Sequence, residues 1–187
     1  PWYAKKYCND AYGDVEVEYD FYVENVPEGE LFIAGERPEF CKYYVNGTEV
    51  VCKDMSDFWV DVCFKKMYIP AGVVKAGKNT VTMKTLFKRT TNIESVYLVG
   101  DFGVKIEDDN KRVLVEKPKK IGMGNLREYN LPFYTGSVTY KIPNSTFNKN
   151  AESNLIELNG YCASLAKVAP ADGSDKAAVL AWAPYEA

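Results

Sequence analysis

Residues 30–51 constrain this chain more than any other stretch. Leu31 to Ala34 reads as a strand, and Gly35 to Glu39 as a charged break containing Pro38. Phe40 to Val45 and Thr48 to Cys52 read as strands around Asn46-Gly47. Asn-Gly between two β-rich runs predicts a hairpin, because a type I′ turn needs positive φ at both central positions. A weaker copy stands near the C-terminus: Leu155 to Leu158 before Asn159-Gly160, Leu165 to Val168, an Asp172-Gly173 turn, and Ala178 to Ala183.

The rest of the chain follows the same pattern of short strands and turns. Residues 1–13 are aromatic and lysine-rich, without a clear period. Val15 to Glu24 alternates, with Val15, Val17, Tyr19, Phe21 and Val23 facing one way and Glu16, Glu18, Asp20 and Glu24 the other. That is a half-buried antiparallel strand with a wet acidic face. Phe58, Val60, Val62 and Phe64 alternate in turn, which puts Trp59 on the opposite side among Asp61 and Lys65. A turn at Gly77-Lys78-Asn79 precedes the strand Thr80 to Leu86. Asn92 to Lys105 reads as a strand interrupted by Gly100 and Gly103, and glycine there signals a bulge or close backbone approach. Asp108 to Lys111 makes a polar turn into Val113 to Val115, and Ser137 to Ile142 is a late strand. No segment sustains a helical period. Many short strands with regular turn signals predict an all-β antiparallel sandwich, of jelly-roll type.

Lys117 to Lys120, with Pro118 and the nearby Gly122 and Gly124, marks the domain boundary. The domains are then 1–116 and 117–187. In outline the second half repeats the first, but it lacks counterparts of Phe58 to Phe64 and of the strand after Asn79. The expectation is one complete sandwich and part of a second, truncated or completed by residues outside this sequence. The opening at Pro1 points to a processed form or a fragment.

Composition narrows the chemistry. The 187 residues include no histidine, which removes Ser-His-Asp and Cys-His catalysis and every imidazole metal site. A net charge of −3 argues against nucleic acid as a partner. No apolar run is long enough to span a bilayer, so a membrane is not expected as a partner either. Cys8, Cys41, Cys52, Cys63 and Cys162 are odd in number and contain no Cys-x-x-Cys; they read as buried free thiols, which favours a cytoplasmic over a secreted location. Asn46-Gly47-Thr48 and Asn144-Ser145-Thr146 match the glycosylation acceptor pattern, but the turn already explains the first.

Several motifs in order carry a resemblance. Glu36-Arg37-Pro38-Glu39, Val45-Asn46-Gly47, Gly77-Lys78-Asn79-Thr80-Val81, Thr91-Asn92-Ile93-Glu94 and Tyr97 to Val104 resemble the non-catalytic galactose-binding-like modules of large bacterial glycoside hydrolases, family 2-like and rhamnosidase-like. Leu131 to Tyr140 resembles the opening of their sugar-binding domain, and Val179 to Glu186 a later segment of it. The resemblance spans most of residues 14–187, without the missing end of the second unit. It implies an accessory sandwich that packs on the catalytic domain of the same polypeptide and contacts carbohydrate. The alternatives are a self-standing carbohydrate-binding module and a glycosidase in its own right. No cofactor is implied, beyond the structural calcium that such sandwiches often hold.

Glycoside hydrolysis needs two carboxylates at a defined separation. Glu36 with Glu39 and Glu94 with Asp101 are the nameable pairs, and a solvated face or an ion pair with Arg37 accounts for them more simply. Arg37 reads as a bidentate bridge from loop to sheet or as a sugar contact, and Asp101 as a similar bridge or a calcium ligand. A pyranose stacks its C–H face on Trp or Tyr while its hydroxyls take fixed polar partners. Trp182, Tyr134, Tyr97 and Trp59 are the stacking candidates, with Glu36, Arg37 and Asp101 as polar ones. Core or interface packing explains each of the rings more simply.

Overall fold

A computed structural model describes residues 11–91, 93–108, 111–160, 162–172 and 177–183. Cys8, Asn92, the turn residues Asp109, Asn110 and Gly173, and residues 184–187 lie outside these. The chain divides into two compact units between Val138 and Thr139. That division falls beyond the basic Pro118 stretch. Within the first unit, the Val104 amide donates to the Asn130 carbonyl at 2.6 Å.

The first unit is a β-sandwich of two sheets. Its strands are β1 (Ala11–Val23), β2 (Phe32–Glu36), β3 (Cys41–Val45), β4 (Thr48–Val50), β5 (Phe58–Trp59), β6 (Asp61–Tyr68), β7 (Gly77–Lys88), β8 (Tyr97–Val99), β9 (Gly103–Asp108) and β10 (Lys111–Val115). One sheet runs β4-β3-β7-β1-β10-β9, the other β5-β6-β2-β8. Among the described strands only the β1–β10 neighbours are parallel, so the larger sheet is mixed. Phe21, Val23, Tyr43, Val45, Val81, Met83 and Leu114 from the larger sheet meet Ile33 and Met67 from the smaller one in a single core. Each layer hides one apolar face against the other.

Local chemistry explains the elements. Asn46 and Gly47 both have positive φ, at 48° and 79°, and Val45 pairs with Thr48 across them, as the type I′ reading requires. The alternation of β1 holds in part: Phe21 and Val23 are buried and Val15 and Val17 half-buried, Tyr19 on the same face is exposed, and Glu16 and Asp20 pair with Lys84 and Lys78 of β7 at 2.9 and 2.8 Å. The glycine interruption after β8 is where the chain changes sheets, since β8 belongs to the smaller sheet and β9 to the larger. A Cβ at Gly103 would sit 3.1 Å from the Asn130 carbonyl oxygen and 3.2 Å from that of Glu116. This is the close backbone approach the sequence signalled.

The expectation for Phe58 to Phe64 fails. Val60 takes a positive φ of 62° and is 79 % exposed, at the turn between β5 and β6. Positive φ is unusual for a β-branched residue, and the turn breaks the alternation that a continuous strand would carry. The thiols differ too. Cys41, Cys52, Cys63 and Cys162 are free, but Cys63 and Cys162 are exposed and the other two only half-buried.

The second unit contains the hairpin β11 (Ala166–Val168) with β12 (Ala178–Leu180). The expected strands at Ser137 to Ile142 and Leu155 to Leu158 do not form; among the described residues of these two stretches a bridge occurs at Glu157. A strand persists only where a neighbour completes its ladder, and so small a unit buries little surface to hold one.

Two residues show how closely the layers of the first unit meet. Tyr43 is buried and donates its hydroxyl to the Glu36 carbonyl at 3.3 Å. A Cβ on Gly35 would lie 2.9 Å from that hydroxyl. Gly35→Ala is therefore expected to cost about 1–3 kcal/mol by overpacking, read as a lower urea midpoint. Burial pushes the Tyr43 phenol well above its ordinary value, so the fold favours the protonated form. That stability is intact below about pH 10, the unfolded tyrosine value, and is lost as pH rises toward the raised folded value. One tyrosine should ionise only together with loss of near-ultraviolet circular dichroism, and Tyr43→Phe should remove that coupled step.

Candidate functional site: an aromatic sheet face

The pleat of β2 decides what the smaller sheet shows to solvent. Ile33 and Gly35 point to the core, so Phe32, Ala34 and Glu36 point outward. Register places Tyr68 beside Phe32, Lys66 beside Ala34 and Phe64 beside Glu36 on β6. On the other side, β8 places Tyr97 beside Ala34. Outward residues of three strands thus assemble one aromatic surface.

The rings touch. Phe32 and Tyr68 have centroids 5.6 Å apart, and Phe64 meets Tyr97 edge-on at 5.3 Å. Trp59 lies 5.4 Å from Tyr97. Trp59 and Tyr97 belong to the two edge strands of this sheet, separated by three strand spacings of about 4.8 Å each. Rings so close must lean inward across the face, and the Val60 turn is what delivers the indole. Ala34, flanked by Lys66 and Tyr97, is 0 % exposed. Tyr97 and Tyr68 remain 40 % exposed, and Trp59, Phe32 and Phe64 are half-buried.

Charge is distributed unevenly on this face. Lys66 Nζ lies 2.8 Å from Asp57 Oδ1 and 5.4 Å from the Phe32 centroid. The Tyr68 hydroxyl donates to Asp57 Oδ2 at 2.9 Å. Lys66 first, then Tyr68, hold the Asp57 carboxyl below the usual carboxylate range. Glu36 is different: its half-buried carboxylate has no hydrogen-bond or ion-pair partner among the described residues. Arg37, next in sequence, turns away at φ 48°, with Nε 3.5 Å from Glu39 and its guanidinium 4.4 Å over the Phe40 ring.

Of the residues singled out in the sequence, Trp59, Tyr97 and Glu36 come together here. Of the others in the first unit, Arg37, Asp101 and Tyr134 take different partners. Asp101 follows β8 on the turn that leaves the sheet and pairs with Lys117 at 2.5 Å. Glu94 lies in the segment before β8. The Tyr134 hydroxyl donates to the Ser137 carbonyl in its own loop, at 3.0 Å. Trp182 stands in the second unit, 76 % exposed. Among the described residues no three Cys, Asp or Glu side chains gather as a metal site.

Sequence reasoning missed Phe32, Phe64 and Tyr68 as members of this surface. The signal was present in Phe64-x-Lys66-x-Tyr68, whose period of two is set by Met67 buried on the core side.

A groove of about 350 Å³ also opens between residues 26–31 and 69–74, lined by Val26, Pro27, Leu31, Ile69, Pro70 and Val74. It carries no aromatic ring, and its charged neighbours Glu28 and Glu30 are exposed. A pyranose needs both a flat apolar partner and fixed polar groups, so the aromatic face is the better candidate. No family model, curated protein or solved structure matches the chain.

Proposed function

We propose that this chain is a non-catalytic β-sandwich region of a carbohydrate-active protein, a glycoside hydrolase of the kind its motifs resemble, and that it meets carbohydrate on the outer face of the smaller sheet. The observation that carries this reading is the assembly of Trp59, Tyr97 and Phe64 into touching rings beside the unpartnered carboxylate of Glu36. Aromatic planes take the C–H face of a pyranose, and a fixed acceptor takes its hydroxyls. Of the nameable carboxylate pairs, Glu39 and Asp101 are each taken up by a cation, which favours a binding role over hydrolysis.

Phe58, Val60 and Val62 are exposed at the β5–β6 hairpin. Apolar exposure of this kind favours packing on a further domain of the same polypeptide over a self-standing module. Affinity electrophoresis of the full chain through gels containing soluble polysaccharide tests the sugar contact. Retardation that depends on Trp59 and Tyr97 supports it, and unretarded migration through every gel overturns it.

A further inference from the structure

Resting on that reading of the aromatic face, we propose that Glu36 selects the class of carbohydrate, admitting neutral hexopyranosyl chains and excluding uronate-bearing or sulfated ones. The inference comes from where the charges point. Both cations near Glu36 are committed elsewhere: Arg37 to Glu39 and Phe40, and Lys66 to Asp57 and the Phe32 ring. Lys65, the remaining cation of this part of β6, donates to the Met55 carbonyl at 2.5 Å. Asp57 and Lys66 cancel, and among the described residues no cation pairs with Glu36, so its carboxylate keeps its charge beside Phe64, with the Glu30 carboxylate acting on Tyr68 in the same sense.

That charge has two consequences for a sugar lying on the rings. A carboxylate without partners accepts two hydroxyl hydrogen bonds, and charge-assisted bonds of this kind are roughly twice as strong as neutral ones. Vicinal hydroxyls on a neutral pyranose supply both donors. An anionic sugar brings a second negative charge to the same place, and among the described residues no lysine or arginine of this face is left without a partner to receive it. Repulsive elements of this sort set specificity as much as attractive ones do. Tyr43 fixes the backbone that carries the selector, by donating to the Glu36 carbonyl from inside the core.

The test uses the full chain in gels containing neutral galactomannan or xyloglucan, or anionic alginate or polygalacturonate, each compared with a plain gel. Wild type should be retarded by a neutral gel and not by an anionic one. Glu36→Gln should weaken neutral retardation about tenfold, the loss expected for one charge-assisted hydrogen bond. Glu36→Lys should gain retardation on an anionic gel, whereas Glu18→Lys, on the outer side of β1, should not, although it changes net charge equally. Equal retardation of wild type on both gel types, or identical behaviour of the two lysine variants, overturns the inference while leaving the aromatic platform standing. Neutral retardation unchanged by Trp59→Ala removes the platform itself. Absence of retardation in every gel overturns both.

Discussion

Replacing Asn79 by alanine should lower stability by about 3 kcal/mol, the largest loss expected from any single polar side chain here. Asn79 is buried at 1 % exposure and spends its whole amide on backbone and on Asn46. Nδ2 donates to the Lys75 carbonyl at 2.7 Å and to the Gly77 carbonyl at 3.0 Å. Oδ1 accepts from the Lys75 amide at 2.9 Å and from Asn46 Nδ2 at 2.7 Å. Asn46 in turn donates to the Val73 carbonyl at 2.8 Å and accepts from the Thr80 amide at 2.9 Å. One side chain therefore ties the turn before β7 to the β3–β4 hairpin. Alanine leaves the N–H and carbonyl of Lys75 and the carbonyl of Gly77 without their partner at once; an unmet group costs about 1–3 kcal/mol when buried, and less each at these exposed turn residues, so the loss is the sum of three partial penalties.

Asn79→Asp separates hydrogen bonding from shape. The carboxylate keeps the acceptors and faces two carbonyl oxygens with no donor, in a buried place that raises its pKa. The protonated acid restores one donor. The raised folded value means that this variant regains stability as pH falls through it. Urea unfolding across pH should show that recovery for aspartate and none for alanine; a loss below about 0.5 kcal/mol for alanine would show the network to be dispensable.

The second large effect concerns binding. Trp59→Ala should weaken retention on a neutral polysaccharide by roughly thirtyfold, equivalent to about 2 kcal/mol, the scale of an aromatic hot spot. The indole is part-exposed and meets Tyr97 at 5.4 Å, so its removal takes away one stacking plane and the support of another. Trp59→Phe, which keeps a plane, should recover much of the loss. Far-ultraviolet circular dichroism separates lost binding from lost folding. Trp59 lies outside the buried core cluster, so the spectrum should not change.

Parts of this architecture were legible because they are local. A type I′ turn needs two residues that tolerate positive φ, and Asn46-Gly47 announces it wherever it occurs. The β1 strand was legible from its alternation, which water enforces on any half-buried strand. Gly100 and Gly103 read as a bulge or a close approach within one strand; the close approach forms, but the stretch is two strands, and nothing local said that the chain passes there from one sheet to the other. The late strands at Ser137 and Leu155 were misread because β-rich composition states a preference, and a ladder needs a partner that composition does not supply.

The candidate site divides along the same line. Trp59, Tyr97 and Glu36 could be named as residues of suitable chemistry, as could Trp182 in the second unit and Tyr134, Arg37 and Asp101, the last three of which take other partners. What the amino-acid order determined by itself was the class of fold, the hairpin at Asn46-Gly47 and the faces of the regular strands, since turn geometry and the two-residue pleat act over a few bonds. What only the tertiary structure decided was which distant residues share a face. The order β5-β6-β2-β8, the reversal at Val60 and the turning away of Arg37 follow from sheet pairing and from competition for partners. Those are settled across the folded chain, where energies of separate segments are balanced against one another.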